Sequence, residues 1–134
     1  MEIATTRPAR PGKSPVRQTF DPTTDPASKA RELVRQTLLT WDLPGLVDDA
    51  LQVTAEMVAN AVCGGDYAVT ISWEACAGAV RLAVEDDRPG EPRLREPDAL
   101  SESGRGLLII DALADDWGWS EHIVWARLRC PEAG

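Results

Sequence analysis

A chain of 134 residues, 43% hydrophobic and 27% charged, has the length and make-up of one globular domain with room for a real core. Its formal net charge of −8 argues against nucleic-acid recognition, which needs a basic face, and suits a basic protein partner. No apolar run approaches the roughly 20 residues of a membrane span, and the amino terminus lacks the basic-then-apolar build of a secretory signal.

Cys63, Cys76 and Cys130 are odd in number and show no metal-like spacing, so they read as reduced thiols in a cytoplasmic protein. Residues 1–15 carry Pro8, Pro11 and Pro15 among scattered Arg and Lys and are expected to be a flexible lead-in to one domain over residues 16–134. Residues 16–20 alternate like a short edge strand, and the Asp21 and Pro26 region is turn chemistry. A first helix is predicted over residues 27–40, with Leu33, Val34, Leu38 and Trp41 in a buried stripe and Lys29, Arg31, Glu32 and Arg35 outside. Residues 42–45 break it. A second helix begins near Asp48 and Asp49, whose charges suit a helix amino terminus, and stops at Gly64 and Gly65.

In that second helix Val47, Ala50, Leu51, Met57, Val58, Ala61 and Val62 form one broad apolar arc. Glu56 and Asn60 fall together at its rim, one turn apart. Two strands follow: residues 67–73 put Tyr67, Val69, Ile71 and Trp73 on one face, and residues 80–84 do the same with Val80, Leu82 and Val84. The connection between them has hairpin length. Residues 86–103 are polar and proline-rich, the build of a lid or binding loop. Gly104 and Gly106 lie in a turn running into a short apolar helix that ends near Ala114, and residues 117–119 and 123–128 read as two last strands. The order implies an α+β two-layer sandwich, a mixed sheet with helices packed on one face.

Three pieces bear chemistry. An Asn oxygen is a hard ligand that suits Mg²⁺ bridging phosphates, and a Glu one turn away can orient or deprotonate a nucleophile. Asp86, at the end of a buried strand, can accept a hydrogen bond from an exocyclic amine such as that of adenine. Glycines before a helix let backbone N–H groups meet phosphate oxygens. Each piece alone has a plainer reading: Glu56 and Asn60 as an exposed polar edge, Asp86 as a strand-end turn residue, the glycines as a tight loop, Arg105 as a solvent group. His122 stands alone and reads as a turn residue, and the five Trp read as core and interface residues, since the basic interleaving of a nucleic-acid surface is missing.

In this order and spacing the pieces resemble the GHKL (histidine-kinase-like) ATPase superfamily, and more closely its small anti-sigma-factor/serine-kinase branch of actinobacterial type. Glu56-Met57-Val58-Ala59-Asn60 is similar to the family's N-box, and residues 103–118 to its second glycine box and following strand, with residues 84–90 a looser match to the first. The resemblance spans residues 30–129 and implies the Bergerat ATP-binding fold with ATP and Mg²⁺ as cofactors. It makes Glu56 the general base, Asn60 the Mg²⁺ ligand and Asp86 the adenine contact, with Gly90, Gly104, Arg105, Gly106 and Leu107 also meeting the nucleotide. It further implies a cytoplasmic transcription regulator, active as a dimer, that binds a sigma factor and phosphorylates a STAS-domain antagonist on serine. A histidine-kinase fragment is not expected, because no phosphoacceptor-bearing helices lead into the domain. The chain departs from the family pattern at Ala59, at Cys63-Gly64-Gly65, where relatives carry basic residues, and at Arg88, where they carry glycine. Cys63-Gly64-Gly65 and Arg88 favour a second reading, a non-catalytic interaction module of the same fold that sequesters a partner with weak or no ATP binding.

Overall fold

The computed structural model describes residues 13–21, 26–61, 66–86, 102–120 and 123–130. Strand β1 (Val16–Phe20) leads to helix α1 (Pro26–Thr40), a single 3₁₀ turn (Pro44–Leu46) and helix α2 (Val47–Ala61). Then come β2 (Tyr67–Glu74), β3 (Ala79–Asp86), α3 (Glu102–Leu113), β4 (Asp116–Trp119) and β5 (Ile123–Arg129). No described helix is long and apolar enough to cross a membrane. Most of the expected lead-in (residues 1–12), the Cys63-Gly64-Gly65 stop, the lid of residues 87–101 with Arg88 and Gly90, and His122 lie outside the described residues.

Local chemistry explains where these elements stop. Helix α1 closes in a Schellman arrangement, with Leu43 N–H donating to the Leu38 carbonyl (2.8 Å) and Asp42 N–H to the Leu39 carbonyl (3.0 Å). Asp42 takes the left-handed φ of 63° which that motif needs, and Asp tolerates it better than most side chains. Pro44 then begins the 3₁₀ turn into α2, whose first turn holds Asp48 and Asp49 at the positive pole of the helix. The β2–β3 hairpin turns on Gly78 at φ 61°, with Ala77 N–H bonded to the Glu74 carbonyl.

The sheet order is β1-β2-β3-β5-β4. Every pairing among the described residues is antiparallel, where the sequence predicts a mixed sheet. The physical reason is the place of β5. Strands β3 and β4 run in the same direction across the α3 crossover, but β5 inserts between them, so these two do not pair. The rest of the expected architecture is present: two layers, with the helices on one face. Helix α1 lies over β1 and β2, α2 over β3 and β5, and α3 beside α2 with contacts to β4.

Between the layers, Val34 and Leu38 of α1 and Ala50, Val53, Met57 and Val58 of α2 are fully buried. They meet Val69 and Ile71 of β2, Val80, Leu82 and Val84 of β3, and Val124, Ala126 and Leu128 of β5. Each large aliphatic side chain withdrawn from water this way contributes about 1.5–3 kcal/mol. Trp117 ties the edge strand to α3, its indole N–H donating to Asp111 Oδ1 at 2.9 Å. Cys76 is exposed and Cys130 half-buried, both as free thiols. Burial pushes the Cys130 thiol up, and the nearby Lys13 charge offsets part of that rise.

The sheet's other face carries a polar and aromatic layer. Two guanidinium groups, Arg81 and Arg127, lie near the Trp125 ring, each with Cζ 5.4 Å from its centroid. Arg127 is held in turn by Glu74 (Nε to Oε1, 2.6 Å) and Asp116 (Nη1 to Oδ2, 3.1 Å), and these carboxylates raise the Arg127 pKa, Glu74 most. Gly118 lies under the Trp125 ring, where a Cβ would sit 2.9 Å from Nε1.

Two outcomes follow. Gly118→Ala forces the pinned Trp125 ring to shift and is expected to cost about 1–3 kcal/mol in urea unfolding. Thr54, in the core stripe with Ala50 and Val58, is fully buried with its hydroxyl unpartnered among the described residues. Thr54→Val keeps the shape, removes that uncompensated group and should raise the unfolding free energy by about 1 kcal/mol; a loss of stability would show that the hydroxyl is bonded in solution.

Candidate functional site

Chain direction decides which pieces share an end of the sandwich. Helix α2 finishes at Ala61, and residues 62–66 carry the chain to Tyr67, the first residue of β2. Tyr67 pairs with Asp86, the last residue of β3. The β3–β5 pairing of Glu85 with Ile123 and the β4–β5 pairing of Trp119 with Val124 put the end of β4 at that same end. The start of β4, and with it the carboxyl end of α3, therefore lies at the far end. Helices of 15 and 12 residues span about 22 and 18 Å, so the Asn60 end of α2, Asp86 and the amino terminus of α3 gather at one end.

The two helices present opposite poles there. Helix α2 ends with no basic residue in its last turn, leaving its negative pole uncompensated by its own side chains. Helix α3 begins there with its first N–H groups lacking partners inside the helix, the positive pole. A cation against the first and an anion against the second is the arrangement that this polarity favours.

Along one edge of α2, burial rises toward that end: Gln52 is exposed, Glu56 half-buried and Asn60 buried at 4% exposure. Neither Oδ1 nor Nδ2 of Asn60 has a hydrogen-bond partner among the described residues. A carboxamide buried that way costs about 1–3 kcal/mol. Glu56, one turn back, makes no hydrogen bond or ion pair to the described residues. The donor set fits a hydrated Mg²⁺–phosphate unit: one amide oxygen for the metal, a carboxylate for its waters or for a nucleophile, and backbone N–H groups for phosphate. No three His, Cys, Asp or Glu gather among the described residues as an all-protein metal cage would require.

The other expected residues are placed as follows. Asp86 ends β3, two positions beyond the buried Val84. Gly104, Arg105, Gly106 and Leu107 fall inside α3 rather than in a turn ahead of it, because the helix already starts at Glu102. The apolar run that follows, with Ile110 fully buried against the core, holds those glycines in helical conformation despite their low propensity. Gly90 is outside the described residues. Tyr67 escapes the sequence reading as a neighbour of Asp86. Its signal was the hairpin: counting outward from the turn at residues 75–78 pairs 67 with 86.

The fold is an open α+β sandwich with helices on one face, in which the ends of α2, β3 and α3 fall at one rim. Residues 20–129 match the model of the histidine kinase-like ATPase domain, and the chain belongs to that family. No curated protein matches the chain closely enough to count as a relative.

Asn60→Leu exchanges the unpartnered amide for an apolar group of similar size. The ligand-free chain should be as stable as the parent or more so, by about 1 kcal/mol in urea unfolding. A loss above about 2 kcal/mol would mean that the amide is structurally bonded.

Proposed function

We propose that this protein is a cytoplasmic Mg-ATP-dependent regulator of the anti-sigma-factor kind, a serine kinase acting on a STAS-domain antagonist. The buried, unpartnered Asn60 carboxamide beside Glu56 carries this reading, because a helix keeps so costly a group where a ligand completes it. When bound, ATP supplies the phosphoryl group and Mg²⁺ offsets its charge. Asn60 would hold the metal, Asp86 would accept from the adenine amine, and the α3 amino terminus with Gly104, Arg105, Gly106 and Leu107 would receive phosphate. Glu56 orients the incoming serine hydroxyl and takes its proton. The open sheet face around Trp125 is the surface proposed for a second copy of the chain, and the net charge of −8 suits a basic sigma-factor surface.

The second reading, a non-catalytic module that sequesters its partner, draws on Arg88 and Cys63-Gly64-Gly65, where the sequence departs from the family pattern. One pair of measurements separates the two. Mg-ATP at a hundred times its dissociation constant stabilises a binding fold by about 2.7 kcal/mol, a rise in thermal midpoint of roughly 10 °C. Glu56→Ala should keep that rise while phosphate transfer to the antagonist falls by about 10²–10⁴. No rise at millimolar Mg-ATP removes the kinase reading and leaves the module.

A further inference from the structure

We propose that the outer edge of β1, with the groove between it and α1, docks an extended segment of a partner protein that carries an apolar side chain and a carboxylate two residues apart. Docking there needs no bound nucleotide. Strand β1 is outermost in the sheet order, so among the described residues one side of its backbone has no neighbouring strand. Sheet edges are commonly guarded by a charged side chain or a proline that discourages a further strand. Strand β1 holds no proline. Its one charged side chain, Arg17, reaches inward over the sheet to Glu85 of β3 (Nη2 to Oε1, 3.7 Å) rather than out past the edge.

Beside that edge lies a groove of about 300 Å³. Gln18 and Phe20 form its strand wall, on the helix-facing side, since their β2 partners Val69 and Tyr67 are buried in the core. Lys29, Leu33 and Gln36, at i, i+4 and i+7 of α1, form the helix wall, with Glu32 beside them. The Phe20 ring rests on Tyr67 (centroids 5.6 Å apart) and Leu33 packs on the core, so the floor is apolar and fixed. The two charges above it are unequal. Glu32 is engaged within α1, accepting from Gln36 Nε2 at 2.8 Å and Arg35 Nη2 at 3.2 Å. Lys29 makes no hydrogen bond or ion pair to the described residues, which leaves the groove one uncommitted positive charge. A strand added antiparallel to β1 turns alternate side chains to the helix side. The one opposite Gln18 enters over Leu33. The one opposite Phe20 comes toward Lys29, because α1 starts from that end of β1 and Lys29 lies in its first turn. Backbone bonds along the edge supply affinity, and the groove selects the side chains.

The probe is a synthetic peptide, acetyl-Thr-Glu-Thr-Leu-Thr-Val-Thr-amide, titrated calorimetrically into the full chain. In antiparallel register its Glu, Leu and Val stand opposite Phe20, Gln18 and Val16. It should bind with a dissociation constant below about 1 mM. Amide hydrogen exchange should slow in β1 and stay unchanged in β4, the other edge of the sheet. Replacing the peptide's Leu by Ser should weaken binding by about tenfold, and replacing its Glu by Lys by about fivefold. Lys29→Glu, at an exposed position, should reverse that second preference so that the Lys peptide binds better. No binding at about 1 mM peptide, protection of β4 instead of β1, or equal affinity for the Glu and Lys peptides overturns the proposal. Sedimentation of the chain alone tests a different occupant: a dimer that the peptide splits into protomers would assign this edge to a second copy and overturn the partner segment.

Discussion

The seating of α2 across β3 and β5 is the contact on which the rest depends. Ala50, Val53, Met57 and Val58 are driven against Leu82, Val84, Val124 and Ala126 by simple removal of apolar surface from water. Once that stripe is fixed, the helix has no rotational freedom left, and Asn60 is carried to the rim whether or not the rim can satisfy it. The cost of burying its amide is covered by neighbours that have no part in chemistry. Core packing thus fixes the site's geometry, and the polar residues inherit their positions from it.

Much of this could be read from the sequence, and the reasons differ by element. The α1 and α2 stripes were plain because their apolar residues recur at helical period with strong stops, and Val34, Leu38, Met57 and Val58 are fully buried as that period requires. The two strands of the β2–β3 hairpin were equally plain from alternation. The antiparallel character of the whole sheet was not, since it turns on where β5 inserts, and strand order is a long-range property that local patterning does not carry. The start of α3 was misplaced for a related reason. Glycine signals a turn locally, yet the Leu-Leu-Ile-Ile run beyond it gains enough from burial to draw Gly104 and Gly106 into the helix.

For the site, residue types were legible and contacts were not. Glu56 and Asn60 stood out by their spacing, and the family match over residues 20–129 agrees with the fold that their context implied. What no sequence pattern could supply was the depth of burial of Asn60 or the absence of any partner for its amide among the described residues. The pairing of Phe20 with Tyr67 was missed because β1 and β2 are far apart in sequence.

The glycines of α3 have a kinetic consequence. Each costs a helix about 1 kcal/mol relative to alanine, and both fall in the first turns, where backbone bonding is already incomplete. The amino end of this helix is accordingly its cheapest part to unwind, while Ile110 anchors the other half in the core. An anion bound at that pole would tighten the turn on arrival and release it on leaving, so part of the binding energy goes into winding backbone rather than into residence time. Such an end favours brisk exchange of its occupant over long storage.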